Sequence, residues 1–234
     1  MKELIGQIDY TLLDQFALPE EIIEVSKRAI ILGVKSVCVL PQHVKLAFDE
    51  LINTPVLVCS VVSFPDGEAT IEAKKAEIVQ LIQSGADEID IVWNYKKINE
   101  RSYLELELKE LSILCKSLKT KRGESVIMKV IVESGLLSIE ETVFATLTCI
   151  KTGVDFIKTS TGKVEVGAEL CKIEKMKELI QENTSSLQIK ASGGIRTLQQ
   201  IQSFKPFVHR YGIGYKTVDQ LFEGKSTNYK SQEY

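Results

Sequence analysis

Short runs of β-branched and apolar residues alternate along this chain with longer stretches whose apolar residues recur at helical spacing. That rhythm predicts βα units arranged around a parallel sheet. Strand-like runs fall at residues 6–11, 36–40, 56–63, 88–93, 126–133, 155–159, 187–191 and 208–212. Between them, residues 67–85 place Ile71, Ile78, Leu81 and Ile82 at helical spacing and close on Gly85. Residues 138–153 open with the capping-box pair Ser138 and Glu141 and also close on a glycine. Eight strands alternating with helices predict an α/β fold of the TIM (β/α)8 barrel type. A doubly wound open sheet fits the same alternation.

The length of 234 residues suits one such barrel, and no Pro-rich or Gly/Ser-rich linker divides it. The expected organisation is a single barrel domain, residues 1–222, followed by a polar tail, residues 223–234. Hydrophobic residues at 44% and charged residues at 26% are ordinary for a soluble globular protein. The net charge of −3, with both signs interspersed, excludes the basic footprint of a nucleic-acid binder. No apolar run reaches membrane-spanning length and the first residues lack the pattern of a signal peptide. The five cysteines are scattered, none in a CxxC pair, and only His43 and His209 could complete a zinc site. Together these features predict a cytoplasmic protein with reduced thiols, no membrane partner and no metal centre.

In a TIM barrel the chemistry sits at the carboxyl ends of the strands. The residues there are Asp9, Cys38, Asp90, Lys129, Glu133, Lys158 and Lys190, an unusual set for a packed core. Residues two apart share a strand face, which groups Phe156 with Lys158, Gln188 with Lys190, and Lys129 with Ile131 and Glu133. A structural ion-pair network is one reading, but buried pairs often add little net stability, so several together need another explanation. The functional reading centres on Lys158 in the stretch DFIKTSTGK. Desolvation or a neighbouring cation lowers an amine from its ordinary pKa of about 10.4, and the neutral amine attacks a carbonyl to form a Schiff base. Lys190 would supply that cation and Asp90 would shuttle protons, the minimum kit of a metal-independent aldolase. Glycine-bearing loops, ASGGIRT at 191–197 and YGIGYKT at 211–217, follow the last two strands. Barrels commonly bind phosphate there, through backbone N–H groups and a helix N-terminus. Gly162 and Lys163 could add donors from the preceding loop.

DFIKTSTGK and IKASGGIRT resemble the Schiff-base and second-lysine segments of the deoxyribose-phosphate aldolase family, class I aldolases on a TIM barrel. GADEIDIVWNY, MKVIVESGLL, IDYTLL, VCVLP and VVSFPDG resemble further blocks of that family in the same order. The resemblance implies reversible cleavage of 2-deoxy-D-ribose 5-phosphate to glyceraldehyde 3-phosphate and acetaldehyde, without a cofactor. It implies Lys158 as the covalent lysine, Lys190 as the residue that depresses its pKa, and Asp90 as the proton relay. Asp9, Thr11, Cys38, Lys129 and Thr161 fall at substrate-contacting positions. Gly162, Lys163, Gly193, Gly194, Arg196, Gly212 and Gly214 fall at phosphate-binding ones. The order Gly212, Ile213, Gly214, Tyr215 departs from the hydroxyl residues the family commonly has there, which leaves room for a related class I aldolase with another substrate. A sugar-phosphate-binding barrel without turnover is a further alternative. Trp93 is placed to narrow the mouth, Tyr229 and Tyr234 are candidate tail proton relays, and a homodimer is implied by the family alone.

Overall fold

The computed structural model describes residues 2–223. Parallel strands β1 (Ile8–Leu12), β2 (Ser36–Val39), β3 (Leu57–Val62), β4 (Glu88–Val92), β5 (Ile127–Ile131), β6 (Phe156–Lys158), β7 (Gln188–Ser192) and β8 (Arg210–Gly214) close into a barrel in chain order. Around them run α1 (Lys2–Ile5), α2 (Pro19–Leu32), α3 (Val44–Leu51), α4 (Ile71–Ser84), α5 (Arg101–Ser117), α6 (Ile139–Thr152), α7 (Leu170–Glu182), α8 (Leu198–Phe204) and α9 (Tyr215–Glu223). The alternation of patterns is thus resolved as a closed barrel, not an open sheet. No helix among the described residues is long and apolar enough to cross a membrane.

Helix ends follow local chemistry. Ser138 and Glu141 form both bonds of the capping box that starts α6, and Gly153 ends it at φ 66°. The helix expected from residue 67 begins only at Ile71, because Thr70 caps it by accepting from the Ala73 N–H. Gly67 instead takes φ 72° in a close approach to the Trp93 carbonyl, where a Cβ would sit 2.1 Å from the oxygen.

The strands present two chemically opposite faces. Outward residues such as Tyr10, Val39, Ile91, Val130, Ile157 and Ile189 join the helices in one continuous apolar layer. Inside the barrel the apolar cluster is small and separate, built on Cys38, Cys59 and Val61. The strand register stacks the inward residues in layers from alternate strands. Lowest come Ser36, Glu88, Phe156 and Arg210, then Asp9, Cys59, Lys129 and Lys190, then Cys38, Asp90, Lys158 and Gly212. Most of this interior is ionisable.

Two strand boundaries differ from expectation in ways that move site residues. The last strand runs from Arg210 to Gly214, not from 208 to 212, because its partner β1 extends the ladder up to the Thr11–Gly214 pair. Residues 212–214 are therefore strand and not a turn, and α9 starts at once with Tyr215. At the fifth strand the ladder stops at Ile131, and Glu133 turns out of it into the left-handed region at φ 53°.

Candidate active site

The inward layers converge on one carboxylate. Asp90 Oδ2 accepts from Lys158 Nζ at 2.8 Å and from Lys190 Nζ at 2.6 Å, while Oδ1 accepts from Lys129 Nζ at 2.8 Å. Below it, Lys129 also pairs with Glu88 Oε2 at 2.6 Å, and Lys190 pairs with Asp9. Arg210 closes the base by donating to both of those carboxylates, at 2.9 Å to Glu88 Oε1. Two carboxylate–lysine arms thus rise from Arg210 and meet at Asp90, with Lys158 on top. Lys129 and Lys190 are wholly buried; Lys158 retains 3% exposure.

The electrostatics follow from that connectivity. Burial alone would push the Asp90 carboxyl up, but the ammonium groups of Lys129, Lys158 and Lys190 outweigh it and hold it well below the usual carboxylate range. Burial likewise opposes ionisation of Asp9, and Arg210, Lys190 and Lys129 reverse the shift to a lowered value. Lys190 would lose its proton more easily by burial, yet Asp9 and Asp90 raise it, and Lys129 is raised in the same way by Asp90 and its other partners. Cys38 shares a contact with Cys59 that lowers its pKa, while burial raises that of Cys59, whose thiol donates to Asp90 Oδ1 at 3.2 Å. Cys38, Cys59 and Asp90 are the one group among the described residues whose spacing could hold a cation. Three lysines already occupy that carboxylate, so its chemistry is that of an anion among ammoniums.

Several other candidates lie elsewhere than expected. Asp9 is one layer below the mouth, fully buried, and accepts from Ser36 Oγ at 2.7 Å. Trp93 does not narrow the opening: β4 ends before it, and its ring faces outward against Phe144 while Nε1 donates to the Val132 carbonyl at 3.0 Å. Thr161 donates its hydroxyl to Glu133, which also accepts from Ser160 Oγ and the Thr161 N–H. With their hydroxyls so oriented, Ser160 and Thr161 accept from the N–H groups of Gly162 (3.0 Å) and Lys163 (3.1 Å), so that loop's backbone donors are spent internally. Gly212 leaves room for the Lys190 stem, since a Cβ there would sit 3.2 Å from Lys190 Cε. Tyr229 and Tyr234 lie outside the described residues.

The remaining candidates surround the carboxyl ends of the strands. Gly193 (φ 85°) and Gly194 (φ 71°) take conformations that favour glycine, and their N–H groups meet no acceptor among the described residues. Arg196 is exposed beside them. A cavity of about 510 Å³ opens over β1 and β8, lined by Thr11, Phe64, Lys163, Gly214, Lys216 and Thr217. A second cavity, of about 590 Å³, lies at the opposite end of the barrel, over Phe156 and Arg210, away from Lys158. Glu88, Cys59 and Arg210 were absent from the sequence-based set. Glu88 was within reach of the period-two rule, being two residues from Asp90; Arg210 was hidden by the shifted eighth strand.

A closed parallel barrel with a lysine near its carboxyl mouth, on a carboxylate shared with two more lysines, has the frame of an α/β-barrel enzyme. The model of the DeoC/LacD family aldolase matches residues 8–207. The chain is 42% identical over 222 residues to the deoxyribose-phosphate aldolase of Mycoplasmoides pirum, covering 94% of this chain and 97% of that one. Among solved structures, an aldolase called QR15 superposes with a TM-score of 0.82 at 35% identity, over 93% of this chain and 94% of that one. The tetrameric deoxyribose phosphate aldolase of Aeropyrum pernix gives a TM-score of 0.84 at 26% identity, over 97% and 93%. The chain belongs to the DeoC/LacD family of aldolases.

Proposed function

We propose that this protein is a deoxyribose-phosphate aldolase that cleaves 2-deoxy-D-ribose 5-phosphate reversibly to D-glyceraldehyde 3-phosphate and acetaldehyde, with Lys158 as the Schiff-base residue. The observation that carries the residue assignment is the convergence of three lysines on Asp90, with Lys158 alone among them reaching the opening. The neutral Lys158 amine adds to the aldehyde carbon of the open-chain sugar, and loss of water from the carbinolamine leaves a protonated imine. That imine carries a positive charge, for which Asp90 is the adjacent counter-ion. Removal of the C3 hydroxyl proton then breaks the C2–C3 bond, releasing glyceraldehyde 3-phosphate as the bonding pair moves into the enamine. Protonation of the enamine carbon and hydrolysis return acetaldehyde and the free amine.

Asp90 is held as a carboxylate by the lysines around it, so it serves best as a fixed acceptor. Protons that pass through it come from a neighbour such as Lys190, which shares its Oδ2 with Lys158. The phosphate would sit on the N–H groups of Gly193 and Gly194, with Arg196, Lys163 and the start of α9 as further donors. Thr217, lining the mouth cavity, offers an aliphatic hydroxyl, which residues 213–215 do not carry.

Borohydride added with acetaldehyde should attach a two-carbon adduct to Lys158, read by peptide mass, and Lys158→Ala should abolish both adduct and turnover. An unmodified Lys158 in an active enzyme would sink the assignment. Thermal stabilisation by deoxyribose 5-phosphate with neither adduct nor turnover would instead identify a binding protein.

A further inference from the structure

The ionised groups of the barrel interior do not balance. Among the described residues, the ion-pair partners of Lys129, Lys158, Lys190 and Arg210 are Asp9, Glu88 and Asp90, a surplus of one positive charge in an almost wholly buried interior. The cluster becomes neutral when one proton leaves. A guanidinium does not release one in proteins. Lys129 is held by Glu88 and Asp90, and Lys190 by Asp9 and Asp90, so each has two close carboxylates. Lys158 has only Asp90, already shared with both other lysines. Lys158 is therefore the lysine of the cluster held by the fewest carboxylates.

Arg210 creates the imbalance. It lies at the opposite end of the interior, its guanidinium over the Phe156 ring at 5.5 Å, and touches neither Lys158 nor the mouth cavity. The groups that face Arg210 are Asp9 from β1 and Glu88 from β4, with Lys35, Asp155 and His209 around the basal cavity. Those that face Lys158 are Asp90 from β4 and Lys190 from β7, with Cys38, Cys59 and Lys129 one contact further out.

We infer that Arg210 is a positioning residue for catalysis: as a fourth cation set against Asp9 and Glu88 it leaves the cluster one positive charge in surplus, and that charge is shed at Lys158. The inference rests on the Schiff-base reading of Lys158. Removing the guanidinium leaves three lysines against three carboxylates, a balanced set in which Lys158 stays an ammonium. Removing the Glu88 charge does the reverse and deepens the surplus.

The test is the pH dependence of borohydride trapping with acetaldehyde, measured on wild type, Arg210→Met, Arg210→Lys and Glu88→Gln. For Arg210→Met the midpoint of the acid limb should move up by roughly one pH unit, about a tenfold loss of adduct at pH values below it. Trapping should recover in alkaline buffer. Arg210→Lys, which keeps the charge, should restore most of the wild-type midpoint, and Glu88→Gln should move it to lower pH. Merely structural damage would lower trapping at every pH, or shift both variants the same way, and either result overturns the inference, as does an unmoved midpoint in folded Arg210→Met. If Arg210→Met does not fold, Glu88→Gln decides: an acid shift supports the inference, and an unchanged or alkaline midpoint refutes it. Absence of any adduct on wild-type Lys158 would instead refute the Schiff-base assignment itself.

Discussion

Ile157 and Lys158 are consecutive residues of β6, both almost wholly buried, and their surroundings share almost nothing. Ile157 points into the layer between barrel and helices, where its neighbours are apolar and the contribution is burial of hydrocarbon. Lys158 points into the barrel, where its neighbours are a carboxylate and two further lysines and most inward positions can titrate. One region holds the fold and the other holds charges that the fold alone does not need. A strand buried on both faces can therefore carry stability on one side and reactivity on the other, provided the charged side is connected well enough to be tolerated.

Breaking the anion at the centre of the inner region should have the largest effect. Asp90→Asn leaves three lysines around a neutral amide, which should cost about 3–5 kcal/mol in urea unfolding and remove Schiff-base trapping. The matching change on the outer face is Ile157→Ala. It should cost about 2–5 kcal/mol for the lost methyl groups and the cavity, while kcat in the surviving folded enzyme stays close to wild type. If Ile157→Ala lost activity out of proportion to folded protein, the separation of the two faces would fail.

Acid sharpens the comparison. Asp9 and Asp90 titrate below the ordinary carboxylate value when folded, so their stabilising contribution is present above the unfolded pKa of about 3.9 and declines as pH falls through the lower folded values. The stability difference between wild type and Asp90→Asn, followed by chemical unfolding, should hold constant down to about pH 4 and close below it. The difference caused by Ile157→Ala should not depend on pH. The smallest effect belongs to Trp93→Phe, which removes the indole bond to the Val132 carbonyl. About 1 kcal/mol of stability should go, with KM for the sugar phosphate unchanged. A changed KM would return Trp93 to the mouth.

Much of this was legible because charge inside an apolar strand is a local anomaly. Lys158, Lys190 and Asp90 stood out on those grounds, and the structure brings all three together. Glu88 was overlooked because it opens its strand, where a charged residue reads as solvated. Arg210 was overlooked because the two glycines after it suggested a turn and shifted the strand by two residues. Gly162 and Lys163 read as donors because glycine followed by lysine is what an anion loop looks like. Nothing in the local pattern revealed that the Ser160 and Thr161 hydroxyls, oriented by Glu133, take up those N–H groups first.

The sequence by itself determined the alternation of strands and helices and the position of the anomalous lysine, because strand alternation, helical periodicity and capping are set by residues within a few positions of one another. Only the tertiary structure decided which carboxylate each cation meets. Lys190 and Asp90 are 100 positions apart, and Arg210 and Asp9 are 201 apart. Closing the barrel places them in adjacent layers, and no local pattern encodes the register that does so.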